Sequence, residues 1–197
     1  MAEIVLFHSA LGLRPAVVEA ADRLRAAGHV VHAPDLFEGA AQFDSVGPAM
    51  AYVKQIGLPT LGARAAAAVA PLSQSLVYAG FSLGANFAAR LAATRPGARG
   101  ALLFHGGPSP AQLRIEAWPA TAPVQIHFAA SDPWRDNAAI ASMSELVRAS
   151  GADCAVFDYP GSAHLFSDTG LLADYDPASA ALMWERALEL LRTVDAS

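Results

Sequence analysis

Leu76-Val77-Tyr78-Ala79-Gly80-Phe81-Ser82-Leu83-Gly84-Ala85 decides how the rest of the chain is read. The four leading apolar residues form a run as long as a buried strand, and a helical pattern begins at the far end, so Ser82 falls on a strand-to-helix turn. A residue bent to positive φ at such a turn crowds the positions two away on either side. Gly80 and Gly84 reduce those positions to a hydrogen atom, and Ala85 keeps the next one small. The bend pushes the Ser82 hydroxyl out of the chain, toward the unpaired N–H groups and positive end of the following helix. That arrangement suits attack on a carbonyl carbon. The Gly-Phe-Ser-Leu-Gly pattern alone recurs in unrelated chains, so its weight depends on its surroundings.

Outward from this segment, apolar runs and helical patterns alternate. Strands are predicted at Ile4 to His8, Val30 to Pro34, Leu76 to Ala79, Ala101 to His105, Val124 to Ala129 and Ala155 to Tyr159. Helices are predicted at Pro15 to Ala27, Leu83 to Thr94, Asn137 to Ser150 and Ala178 to Val194, with a further one at Met50 to Ala70 interrupted around Gly57 to Gly62. The alanines between Arg64 and Val69 suit a helix lying close against a sheet. Continuous apolar strands separated by helices imply an α/β fold, a parallel sheet with helices on both faces. The loop after the first strand has to meet the Ser82 turn, which makes the first and third strands neighbours. With right-handed crossovers the predicted order is 2-1-3-4-5-6. Ligands of such sheets bind outside the carboxyl ends of the strands, where the strand order reverses.

A chain of 197 residues with 54% hydrophobic content closes one substantial core, so residues 1–197 are read as a single domain. The net charge of −5 is spread without long single-sign runs, and no basic stripe is available for nucleic acid. Met1 to Ala10 lacks the basic flank and small-residue cleavage site of a signal peptide, and no apolar stretch is long enough to span a bilayer. The expectation is a cytoplasmic protein with no membrane partner. The single cysteine, Cys154, lies in an apolar run and reads as a small buried hydrophobe distant from the chemistry. The sequence assigns no oligomeric state.

A serine hydroxyl is a weak nucleophile near neutral pH, and it needs a base within hydrogen-bond reach and a third group that fixes the base. Among six histidines, only His164 lies late in the chain, in a loop directly after a predicted strand. Asp132, in Ala130-Ser131-Asp132-Pro133-Trp134, likewise stands just beyond a strand end. The resulting order Ser, Asp, His is that of α/β-hydrolases. The rivals are weaker, because Asp136 falls at a helix start, where a carboxylate caps free N–H groups, and Asp158 is inside a strand. An oxyanion hole needs two N–H groups. Leu83 supplies one as the residue after the nucleophile, and Ala10 the other from His8-Ser9-Ala10-Leu11-Gly12, with Leu11 as second choice. His105-Gly106-Gly107 looks like a glycine-rich oxyanion motif, but it follows the fourth strand rather than the first.

Ser9, Leu11, Phe37, Trp134 and Phe166, on loops at this edge, and His105, which ends a strand there, are the candidate substrate-binding residues. His8 also ends a strand there, and neighbouring backbone could equally satisfy its ring, as it could that of His105. His29, His32 and His127 read as structural. No His, Asp and Glu cluster has metal-ligand spacing and no loop cradles a phosphate, so neither metal nor cofactor is expected.

These residues resemble the dienelactone hydrolase family of α/β-hydrolases. The likeness runs through Val5 to Gly12, Ala33-Pro34-Asp35-Leu36-Phe37, the Ser82 turn, Ser131 to Trp134 and Ala163-His164-Leu165-Phe166. It implies a compact α/β-hydrolase fold without a cap domain, hydrolysis of a small ester or lactone, and Ser82, Asp132 and His164 as the triad. The chain departs from the best-known members at three positions. They carry cysteine where this chain has Ser82, a glutamate where it has Ser9, and an arginine that grips a substrate carboxylate where it has Asp168. A bare carboxylate at Asp168 disfavours an anionic substrate, with Arg135 as the cation that could reverse this. The expected activity is therefore a serine hydrolase acting on a small uncharged ester or lactone through an acyl-enzyme. Two alternatives are an acyl thioesterase, because the turn also resembles that of acyl-protein thioesterases, and a non-catalytic binding module on the same scaffold.

Overall fold

The computed structural model describes residues 1–196. Six strands, β1 (Glu3–Phe7), β2 (Val30–His32), β3 (Leu76–Phe81), β4 (Gly100–Phe104), β5 (Val124–Ala129) and β6 (Cys154–Tyr159), form one sheet in the order β2-β1-β3-β4-β5-β6. Every neighbouring pair is parallel. Because side chains alternate along a strand, each strand feeds both faces. Val5 and Phe7 enter one core and Ile4 and Leu6 the other. Helices α1 (Pro15–Ala26) and α7 (Pro177–Ala196) cover the second core. Helices α2 (Val46–Ile56), α3 (Leu58–Val69), α4 (Leu83–Thr94), α5 (Pro110–Leu113) and α6 (Asn137–Ala149) lie over the first. This is the α/β-hydrolase fold, and among the described residues no cap of further helices is inserted between the strands.

The differences from the expected elements have local causes. β3 runs two residues past Ala79, because Gly80 and Phe81 still pair with Leu103 and Phe104 of β4. β4 stops before His105, whose φ of 54° turns the chain off the sheet. α2 begins at Val46 rather than Met50, since Pro48 falls in the first turn, where a missing N–H costs nothing. Gly57, at φ 86°, separates α2 from α3, so the interruption expected around Gly57 to Gly62 is this one residue, and Leu58 to Gly62 are already helical. α5, capped by Ser109 and Gln112, was not expected.

Close packing of alanines against the sheet belongs to α4, where Ala85, Ala88, Ala89 and Ala92 are buried. In α3 only Leu61, Ala65 and Val69 are buried, and Ala66 and Ala67 face outward, which corrects the expectation for that run. Cys154 is also corrected. It starts the edge strand β6 and is half-buried, though burial still pushes its thiol pKa upward. No helix among the described residues is long and apolar enough to cross a membrane.

Candidate active site

The turn after β3 has the strain its sequence implies. Ser82 sits at φ 51° and ψ −109°, a region that L-residues enter only where the surroundings hold them. A Cβ on Gly80 would come within 2.3 Å of the Gly84 carbonyl oxygen, and one on Gly84 within 2.4 Å of the Phe7 oxygen. The second contact carries more weight for the site. It lets the start of α4 lie directly against the end of β1, which brings the loop after β1 to the Ser82 turn.

Ser82 Oγ lies 2.7 Å from His164 Nε2, and His164 Nδ1 lies 2.7 Å from Asp132 Oδ2. The ring nitrogen facing the carboxylate must carry the proton, so Nε2 is left to accept from the serine. Asp132 has no exposed side-chain surface, and its second oxygen accepts the Trp134 N–H at 2.8 Å. These residues stand at the carboxyl ends of β3, β5 and β6, and the fold brings all three together. Asp136 caps α6 through the Ala138 and Ala139 N–H groups, and Asp158 pairs with Arg135.

The loop after β1 is held by its own polar groups. Leu36 N–H donates to His8 Nε2 at 2.9 Å, so the ring proton is on Nδ1 and donates to the Ser9 carbonyl at 2.7 Å. Burial keeps the His8 pKa below 6.5, and the neutral ring this requires is the form that makes both bonds. Ser9 Oγ accepts the Leu11 N–H at 3.1 Å. That bond removes Leu11 as a donor to substrate. Among the described residues the N–H groups of Ala10 and Leu83 have no protein acceptor.

Ser82 and His164 open onto a small cleft of about 40 Å³, partly open to solvent. Ser9, Ala10 and Leu11 form one wall, and Trp134 and Leu165 flank His164. Val46 and Met50 of α2 complete the lining; neither was singled out from the sequence, which left Val46 outside the helix and placed Met50 at its first position.

Phe37, His105 and Phe166, expected to line the cleft, are instead buried at 1% exposure and lie outside it; Leu11 is equally buried but borders it. Phe37 packs edge-on against His8 and Tyr52. Phe166 packs between His105 and Tyr159. His105 lies behind His164 rather than in the cleft, with ring centroids 6.4 Å apart, and its Nε2 is 2.6 Å from Ser167 Oγ. Its pKa is lowered well below 6.5, by burial first and then by His164 and His127. A neutral ring donates from Nε2, which leaves the buried Nδ1 lone pair without a partner, a smaller loss than an orphaned N–H.

The bare carboxylate expected at Asp168 is not found. Asp168 is buried against Arg14, whose Nε lies 3.2 Å from Oδ2, and it also accepts the Gly170 N–H. Arg14 Nη1 in turn meets Asp44 and the Phe43 carbonyl. Repulsion of an anion by Asp168 therefore loses its basis. Arg135 is turned away, held by Asp158 and Asn137. His29 accepts the Ala2 N–H, His32 meets Glu3, and His127 lies between Tyr159 and Gln125. Among the described residues no group of His, Cys, Asp and Glu could hold a metal ion.

The sequence profile of the dienelactone hydrolase family matches residues 1–195. No curated protein matches the chain by sequence. Among solved structures, a dienelactone hydrolase-like promiscuous phosphotriesterase from metagenomic libraries is 22% identical, with a TM-score of 0.79 over 98% of this chain and 87% of that one. A butyrate-bound thermophilic esterase from Thermogutta terrifontis is 18% identical, with a TM-score of 0.61 over 98% of this chain and 83% of that one. At these identities the likeness carries the fold.

Proposed function

The chain belongs to the dienelactone hydrolase family and is a hydrolase of ester type, and from that premise we propose that it cleaves a small uncharged carboxylic ester or lactone through an acyl-enzyme on Ser82. The observation that carries this reading is the unbroken pair of 2.7 Å contacts from Ser82 through His164 to Asp132. In the proposed cycle Ser82 Oγ attacks the carbonyl carbon while its proton passes to His164 Nε2. Asp132 holds the ring and stabilises the imidazolium. The carbonyl oxygen, now negative, is met by the Leu83 and Ala10 N–H groups, which need no reorganisation to receive it. His164 then returns the proton to the departing alcohol, and water repeats the sequence on the acyl-serine. Among the described residues the cleft lining carries no arginine or lysine to neutralise a carboxylate, which supports an uncharged substrate.

A fluorophosphonate tests the reading directly. It is expected to add once, at Ser82, by intact mass and peptide mapping, and to abolish hydrolysis of p-nitrophenyl acetate. Label that persists in Ser82→Ala, or ester turnover that survives complete labelling, would overturn it.

A further inference from the structure

We propose that the cleft has two apolar halves with separate duties: Val46 and Met50 seat the acyl group of a neutral ester, and Trp134 is the platform for its leaving alcohol. The inference rests on the esterase reading above and names the kind of ester that it takes.

Exposed apolar side chains scattered singly over a surface call for no explanation, but a convergent set does. Val46, Met50 and Trp134 are 36%, 41% and 55% exposed, and all three face the same cleft beside Ser82. Val46 and Met50 are four apart on α2 and so share one face of the helix. Trp134 leans toward His164 from the other side, with ring centroids 5.9 Å apart.

The order of bond breaking assigns the halves. The leaving oxygen must take its proton from His164 Nε2, so the alcohol lies on the His164 side, where Trp134 stands. The acyl substituent of the tetrahedral centre points away from the leaving group, toward the loop after β1. There the segment entering α2 is tied down by the Phe43 N–H, which donates to the Leu11 carbonyl at 2.9 Å and draws Val46 alongside Leu11. The acyl wall is therefore made by Val46 and Met50, beside the loop that carries Leu11. The cation carried by that loop, Arg14, is already engaged by Asp168, Asp44 and the Phe43 carbonyl, so the acyl wall has no countercharge to offer.

Two substrate series separate the halves. Along p-nitrophenyl acetate, propanoate and butanoate, kcat/KM is expected to rise about three- to fourfold per methylene, the gain from burying each one. Across acetates of aryl and alkyl alcohols matched in acidity, aryl is expected to lead. Met50→Ser should flatten the acyl slope and keep the aryl preference, whereas Trp134→Ala should erase the aryl preference and keep the slope. Both positions are surface-exposed, so each variant should fold. A terminal carboxylate on the acyl chain should cancel the gain. A flat acyl series in an active enzyme, both variants eroding the same series, or faster turnover of the carboxylate-bearing ester would overturn the assignment alone. Absence of turnover on every ester, with no adduct at Ser82, would overturn the esterase reading and the assignment with it.

Discussion

Ser82 is held in a conformation that few side chains tolerate, and its hydroxyl already points at the base. If Ser82, His164 and Asp132 act as one device, removing any one should cost nearly as much as removing all. Ser82→Ala, His164→Ala and Asp132→Asn are each expected to lower kcat by a factor on the order of 10⁴ to 10⁶, and double variants should lose little more. Steady-state kinetics on p-nitrophenyl acetate measures this. Asp136→Asn and Asp158→Asn serve as the comparison, and near-normal turnover in Asp132→Asn would show that another carboxylate orients His164. These three residues were legible because each follows its own strand at the carboxyl end, where chain position fixes location without any knowledge of rotamers. The pocket lining was harder to read. Phe37, His105 and Phe166 were placed at the correct edge, but which way a side chain turns there depends on packing partners tens of residues away, such as His8 for Phe37 and His105 for Phe166.

Between elements, two contacts decide whether the loops meet. The first is Gly84 against the end of β1: Gly84→Ala would drive a methyl into the Phe7 and His8 carbonyls, so α4 and β1 must separate. That variant should fall in stability by several kcal/mol, as overpacking against backbone does, with kcat falling alongside. Urea unfolding together with kinetics checks it, and wild-type activity in Gly84→Ala would mean that the oxyanion loop does not depend on this approach. The second is Arg14 with Asp168, which ties the loop after β1 to the loop carrying His164. Asp168→Asn leaves a buried guanidinium short of its partner and should cost about 3 kcal/mol, while Arg14→Met with Asp168→Leu should recover much of that loss. If the double variant is no more stable than the single, the pair is not what matters at this position. Sequence could not find this pair. Arg14 precedes a helix-opening proline, and its partner is 154 residues away. Strand order was readable because one functional requirement, that the β1 loop reach Ser82, made β1 a neighbour of β3.

Across the whole molecule, buried histidines couple folding to acidity. Burial lowers the pKa of His127 from 6.5 to about 3, with the nearby Arg186 adding to the effect, and His8 and His105 shift in the same direction. The unfolded chain therefore takes up protons near 6.5 that the native protein refuses. The stability is fully present above that pH and is lost progressively as pH falls from about 6.5 toward 3, at about 1.4 kcal/mol per pH unit from His127 alone. His127→Gln should be less stable than wild type at pH 7 yet show a shallower decline below pH 6.5. Thermal unfolding across that range gives both slopes, and equal slopes would remove His127 from the account.

Parallel pairing has one further consequence. β1 lies between β2 and β3, with Phe7 opposite Gly80, and Ser82 must also find His164 across 82 residues of chain. Contacts of such sequence separation form late and slowly, because each has to close a long loop before any contact energy is returned. No local fragment can assemble the nucleophile and its base. Ester hydrolysis by this protein is thus a clock for its own maturation: during refolding, turnover should begin only after helical structure has appeared, in step with the slowest event that sets the sheet.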